Sequence, residues 1–94
     1  MFDEEKLQII RECLRNDFPE YNLADKNDFD RIAWTFRLTT NEKIYLITIG
    51  RDYMDDRSAS EIKEHLTSFG LRELFNDNKI KRVTLKTNRI EKEA

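Results

Sequence analysis

Arg31-Ile32-Ala33-Trp34-Thr35-Phe36-Arg37-Leu38-Thr39-Thr40-Asn41-Glu42-Lys43-Ile44-Tyr45-Leu46-Ile47-Thr48-Ile49-Gly50 is the stretch that decides the fold. Ile32, Trp34, Phe36 and Leu38 alternate with Arg31, Ala33, Thr35, Arg37 and Thr39. A period of two predicts a strand over 31–40 with one buried face and one wet face. Asn41-Glu42 suits a tight hairpin turn, although the stronger Asn-Gly signal is missing. A second strand then returns over 43–50. It differs in kind: Tyr45, Ile47 and Ile49 share one face, while Ile44, Leu46 and Thr48 share the other. Both faces are mainly apolar, so this strand asks for cover on both sides.

Helices flank the hairpin. Asp3 suits an N-cap, and Glu4 and Glu5 suit the positive end of the helix dipole. Leu7, Ile10, Leu14 and Phe18 follow at helical spacing, widened by Ile9 and Cys13, and Pro19 ends the helix near Asp17. Between helix and hairpin the chain is polar. Tyr21 and Leu23 permit a short strand over 20–24, and Asp25-Lys26-Asn27-Asp28 reads as a turn. After the hairpin, Arg51 to Arg57 reads as a charged loop. Ser58-Ala59-Ser60-Glu61 fits a capping box that opens a second helix, with Ile62, Leu66 and Phe69 inward. Gly70 suits a left-handed closing residue. Leu71 to Asn76 allows a further turn or two of helix, Asn76-Asp77-Asn78 a turn, and Lys79 to Thr87 a last strand carrying Val83 and Leu85 on its buried face. This strand runs parallel to a neighbour, because a helix separates it from the hairpin.

The expected architecture is therefore a single small α+β domain over residues 1–94. A single-layer sheet of three or four strands carries two main helices on one face, in the order helix-strand-strand-helix-(short helix)-strand. Residues 88–94 are expected to fray, with Ile90 as the one side chain able to dock.

Ninety-four residues with 38% hydrophobic and 11% aromatic content suffice for one modest core. The charged share, 38%, exceeds the usual value of about 25% and predicts a densely charged surface. One cysteine, Cys13, excludes an internal disulfide framework. The opening residues have neither a basic start nor an apolar run, and the longest apolar-rich stretch, 44–49, is far too short for a membrane span. The expectation is a cytoplasmic protein without a membrane partner.

Motifs for chemistry fail on inspection. Counted as a calcium loop from Asp25, the fifth, sixth and twelfth positions are Phe29, Asp30 and Phe36, where such a loop needs oxygen, glycine and glutamate. Asp52, Asp55 and Asp56 suit a loop ahead of a helix and have no second ligand group at fixed spacing. His65 falls on the flank of a helix stripe with no partner indicated, and Cys13 reads as a small hydrophobe. Two glycines cannot build a phosphate loop, so no cofactor and no metal are expected.

Two features rank the remaining functions. The doubly apolar strand offers Ile44 and Leu46, or else Tyr45, Ile47 and Ile49, as an interface to another copy or to another protein. The leading expectation is accordingly a small non-enzymatic protein-interaction domain that self-associates. The charge distribution supplies the alternative. Residues 79–94 carry six basic side chains against Glu91 and Glu93, on an otherwise acidic chain of net charge −2. Arg37, Lys79, Arg82, Lys86 and Arg89 would serve a nucleic-acid-binding surface if the first and last strands were neighbours. Basic residues also protect edge strands from aggregation, and the acidic pI of about 5.5 opposes general affinity for polyanions.

Overall fold

Asp3 opens the first helix as its spacing implies: its carboxylate accepts from the backbone N–H groups of Glu5 and Lys6. In the computed structural model, which describes residues 2–76, 79–87 and 89–93, helix α1 (Glu4–Asp17) buries Leu7, Ile10 and Leu14. Strands β1 (Asn22–Asp28), β2 (Ala33–Thr39) and β3 (Ile44–Gly50) follow. Helices α2 (Arg51–Asp55), α3 (Ala59–Phe69) and α4 (Leu71–Phe75) then lead to β4 (Arg82–Lys86) and β5 (Arg89–Glu93). The five strands lie side by side in sequence order. Only β3 and β4 are parallel, across the helical crossover; the other neighbours are antiparallel.

The sheet thus corrects the expectation of three or four strands, and the order helix-strand-strand-helix-(short helix)-strand with it. Two strands and one helix are added. β1 takes in Asp25-Lys26-Asn27-Asp28, which reads as a turn because Asp, Asn and Lys are poor strand formers in isolation. It forms because all seven of its residues pair with β2, from Asn22 opposite Thr39 to Asp28 opposite Ala33. β5 lies in the segment expected to fray. It is a charged strand, Arg-Ile-Glu-Lys-Glu, paired along β4, with Ile90 packed against the core. α2 occupies the supposed charged loop and buries Tyr53 and Met54. The expected turn at Asn76-Asp77-Asn78 lies partly outside the described residues.

Register explains where the core sits. Leu38, Tyr45, Ile47, Ile49, Val83 and Leu85 alternate onto one face and are buried with α1 and α3. An aromatic group of Phe18, Tyr21, Tyr45 and Phe75 closes one end, with Tyr45 and Phe75 stacked at 4.4 Å between ring centres. The capping box forms in full: Ser58 Oγ accepts from Glu61 N–H, and the Glu61 carboxylate accepts from Ser58 N–H. Gly70 closes α3 at φ 62°, a conformation that costs glycine no Cβ clash.

The first predicted strand starts two residues late. Ile32 has φ 50°, lies outside β2, and is 61% exposed rather than part of the inward stripe. Ala33 and Thr35, expected to be wet, are buried, because β1 and β3 flank them in mid-sheet. On the covered side of β1, Asp25 accepts two hydrogen bonds from the Arg11 guanidinium, at 3.0 and 2.8 Å, and one from Trp34 Nε1 at 2.7 Å. This half-buried group ties the edge strand to α1. Arg11 holds the Asp25 carboxyl below its ordinary range.

Candidate binding surface on the open sheet face

The helices cover one face of the sheet, and the pairing register builds the other. One cross-strand row runs Ala24, Arg37, Leu46, Arg82, Glu93. The next runs Lys26, Thr35, Thr48, Thr84, Glu91. Thr35 and Thr48 are buried at its centre, and their hydroxyl oxygens lie 3.3 Å apart, so the middle of this face is polar but satisfied.

Beside them is a trough of about 590 Å³, lined by Lys26, Arg31, Thr35, Arg37, Ile44, Leu46 and Arg82 among others. Arg37 and Arg82 flank Leu46, two strand spacings apart, which is roughly 10 Å. Arg31 is paired with Asp28 at 3.5 Å. Lys26, Arg37 and Arg82 form no ion pair among the described residues. Charge on the face is lopsided. Lys26, Arg31, Arg37, Arg82, Lys86 and Arg89 stand against Asp28, Glu91 and Glu93, on a chain whose net charge is −2.

The structure divides the apolar interface candidates. Tyr45, Ile47 and Ile49 lie beneath the helices in the core. Leu46 is half-buried in the trough, and Ile44 at its rim is 57% exposed. The basic candidates divide as well. Arg37 and Arg82 share the open face, but β2 and β4 are not the neighbours that surface required, since β3 lies between them. Lys86 and Arg89 lie on the β4–β5 hairpin, where both pair with Glu91. Lys79 lies ahead of β4 and outside the trough. Lys26 was missed. Its signal is the alternation from Leu23, which sends residues 24, 26 and 28 to the open face once this segment is known to be a strand.

The chain matches no protein-family model, no curated protein and no solved structure. Geometry alone therefore carries the functional reading.

His65 has a local partner. His65 Nδ1 lies 2.7 Å from the Tyr53 hydroxyl, and its ring packs on Phe69. Burial pushes Tyr53 up to about 12 and His65 down, so both are uncharged at neutral pH. Tyr53, in the supposed loop, is the partner that the sequence did not indicate. Cys13 is half-buried, and burial raises its thiol pKa, which disfavours the thiolate. Among the described residues, no three His, Cys, Asp or Glu side chains gather closely enough to hold a metal ion, Asp52, Asp55 and Asp56 included. No helix of the described residues is long and apolar enough to cross a membrane.

Proposed function

We propose that this chain is a non-enzymatic protein-interaction domain whose open sheet face receives an acidic, partly aliphatic segment of another protein. One observation carries the reading: three cations without ion-pair partners among the described residues, Lys26, Arg37 and Arg82, surround Leu46 and Ile44 in a trough. A segment with carboxylates on either side of an aliphatic residue matches that order, with the aliphatic group over Leu46 and the carboxylates reaching Arg37 and Arg82. Arginine favours such partners because its planar fork binds carboxylate bidentately.

The face suits a second copy of itself poorly. Two such faces brought together double a positive excess and oppose arginine to arginine. Nucleic acid is the rival occupant. The trough offers aliphatic rather than aromatic side chains for bases to stack on, and the acidic remainder of the chain repels a long polyanion.

The test uses a labelled peptide made of two Glu-Ser-Leu-Ser-Glu repeats, with a single-stranded RNA of similar length beside it. Fluorescence anisotropy should show micromolar peptide binding that weakens with salt and falls about tenfold on Arg37→Glu or Arg82→Glu. RNA binding without peptide binding would replace this reading with the nucleic-acid one. Binding of neither probe would remove the trough as a site.

A further inference from the structure

Where α3 meets the β4–β5 hairpin, a second pocket differs in chemistry from the trough. Arg57, in the link between α2 and α3, is half-buried there. Its guanidinium carbon lies 4.1 Å from the centre of the Tyr53 ring. Nη1 donates to the Tyr53 carbonyl at 3.3 Å and Nη2 to the Thr87 carbonyl at 2.9 Å. Both acceptors are neutral, and Arg57 forms no ion pair among the described residues. The guanidinium is thus held in one place with its charge uncompensated. Nε–H and one hydrogen on each Nη are left for another acceptor.

Beside it is a pocket of about 330 Å³, lined by Arg57, His65, Phe69, Lys86, Arg89 and Ile90 among others. The lining holds three cations and, among the described residues, no carboxylate. Lys86 and Arg89 share a single carboxylate from outside it, that of Glu91, so the pair keeps one positive charge in excess. Asp56 stands close by, accepting from Thr87 Oγ1 at 3.0 Å, but does not line the pocket. His65 adds a neutral donor. Among the described residues the buried Tyr53 hydroxyl has one side-chain acceptor, His65 Nδ1 at 2.7 Å, and donating to it leaves the ring proton on Nε2. Phe69, whose ring centre is 3.9 Å from that of His65, gives the pocket an apolar side together with Ile90.

We propose that this pocket binds a small phosphomonoester, its phosphate on Arg57, His65, Lys86 and Arg89 and its organic group against Phe69 and Ile90. A tetrahedral dianion uses donors that arrive from several directions. Here they come from the α2–α3 link, from α3 and from the β4–β5 hairpin. A planar carboxylate would leave part of that set unused. The volume is at the lower end of ligand pockets, roughly 300–1,000 Å³, and suits one ring with one phosphate. A single phosphate also escapes the repulsion that the acidic remainder of the chain exerts on a long polyanion. The pocket shares no lining residue with the trough, so it stands independently of the reading of the open face.

Titration of the full chain with phenyl phosphate at constant ionic strength, followed by NMR, tests it. His65 is the only histidine, so one set of ring signals reports the site. Those signals should shift and saturate at millimolar ligand or below. Benzoate and inorganic phosphate should each bind about tenfold more weakly, the first for want of the phosphate oxygens and the second for want of the ring. Arg57→Gln should abolish saturation. Should that variant fail to fold, Arg89→Gln, at an exposed position, should weaken binding about threefold with an unchanged circular-dichroism spectrum. Arg37→Glu should leave binding unchanged. The absence of a saturable shift at His65 overturns the proposal, as does binding indifferent to Arg57→Gln and Arg89→Gln, or benzoate binding as tight as that of phenyl phosphate. A phosphotyrosine peptide bound more than about tenfold tighter than phenyl phosphate would replace the free ligand with a modified protein partner.

Discussion

Along β3, Tyr45, Ile47 and Ile49 disappear beneath the helices, while Ile44, Leu46 and Thr48 look out from the opposite face. The two sets differ by one residue of register and nearly match in hydrophobicity, yet their surroundings have little in common. The covered set meets α1, α3 and an aromatic cluster. The open set meets threonines, arginines and the rim of a trough. An apolar side chain gains its stabilisation from what covers it, not from its type. The covered face therefore carries the fold, and the open face contributes less to it.

The sharpest way to break this comparison is to truncate adjacent residues of the one strand. Ile47→Ala should cost about 3 kcal/mol in urea unfolding, because it leaves a cavity in a closed core. Leu46→Ala should cost less than about 1 kcal/mol, since part of that side chain is already wet. Equal losses would mean that the open face is as structural as the covered one.

A smaller effect sits where the covered face reaches its edge strand. Asp25→Ala takes the acceptor from Arg11 Nε and Nη2 and from the Trp34 N–H, while Arg11 Nη1 keeps Glu4 and Gln8, and should cost about 2 kcal/mol at pH 7. The Asp25 carboxyl is held below its ordinary range, first by the hydrogen bonds from Arg11. Its contribution is therefore fully present above the unfolded value of about 4 and is lost as pH falls through the lower folded value. The gap between wild type and variant should close on acidification. A gap constant down to strongly acidic pH would show that Asp25 acts by packing alone.

The smallest expected effect is on the open face itself. Arg37→Ala and Arg82→Ala should each change stability by less than about 0.5 kcal/mol, since neither is engaged in an ion pair among the described residues. If either destabilised the chain by as much as Asp25→Ala, the trough would belong to the fold rather than to a partner.

Legibility in the sequence followed the locality of each signal. The α1 cap, the capping box at Ser58 and Glu61, and the left-handed Gly70 are written within four residues of themselves. Trp34, Phe36 and Leu38 announced their shared face by alternation alone. β1 showed alternation only at Tyr21 and Leu23, and β5 showed almost none, because a charged edge strand owes its place to backbone hydrogen bonds with its neighbour rather than to an apolar stripe. The candidate site suffered likewise: Arg37 and Arg82 were legible as outward cations, whereas Lys26 lay in a segment that reads as a turn. Placing Arg37 and Arg82 on either side of Leu46 required knowing that β3 separates β2 from β4.

The sequence by itself determined the stripes and caps of α1 and α3, the central hairpin and the inward faces of β2 and β4, since period and capping chemistry act between near neighbours. Only the tertiary structure decided the five-stranded sheet, the burial of Ala33 and Thr35, the exposure of Ile32, and the gathering of Lys26, Arg37 and Arg82. Each depends on which strand lies beside which, and backbone pairing between strands leaves little mark in the pattern of side chains along any one of them.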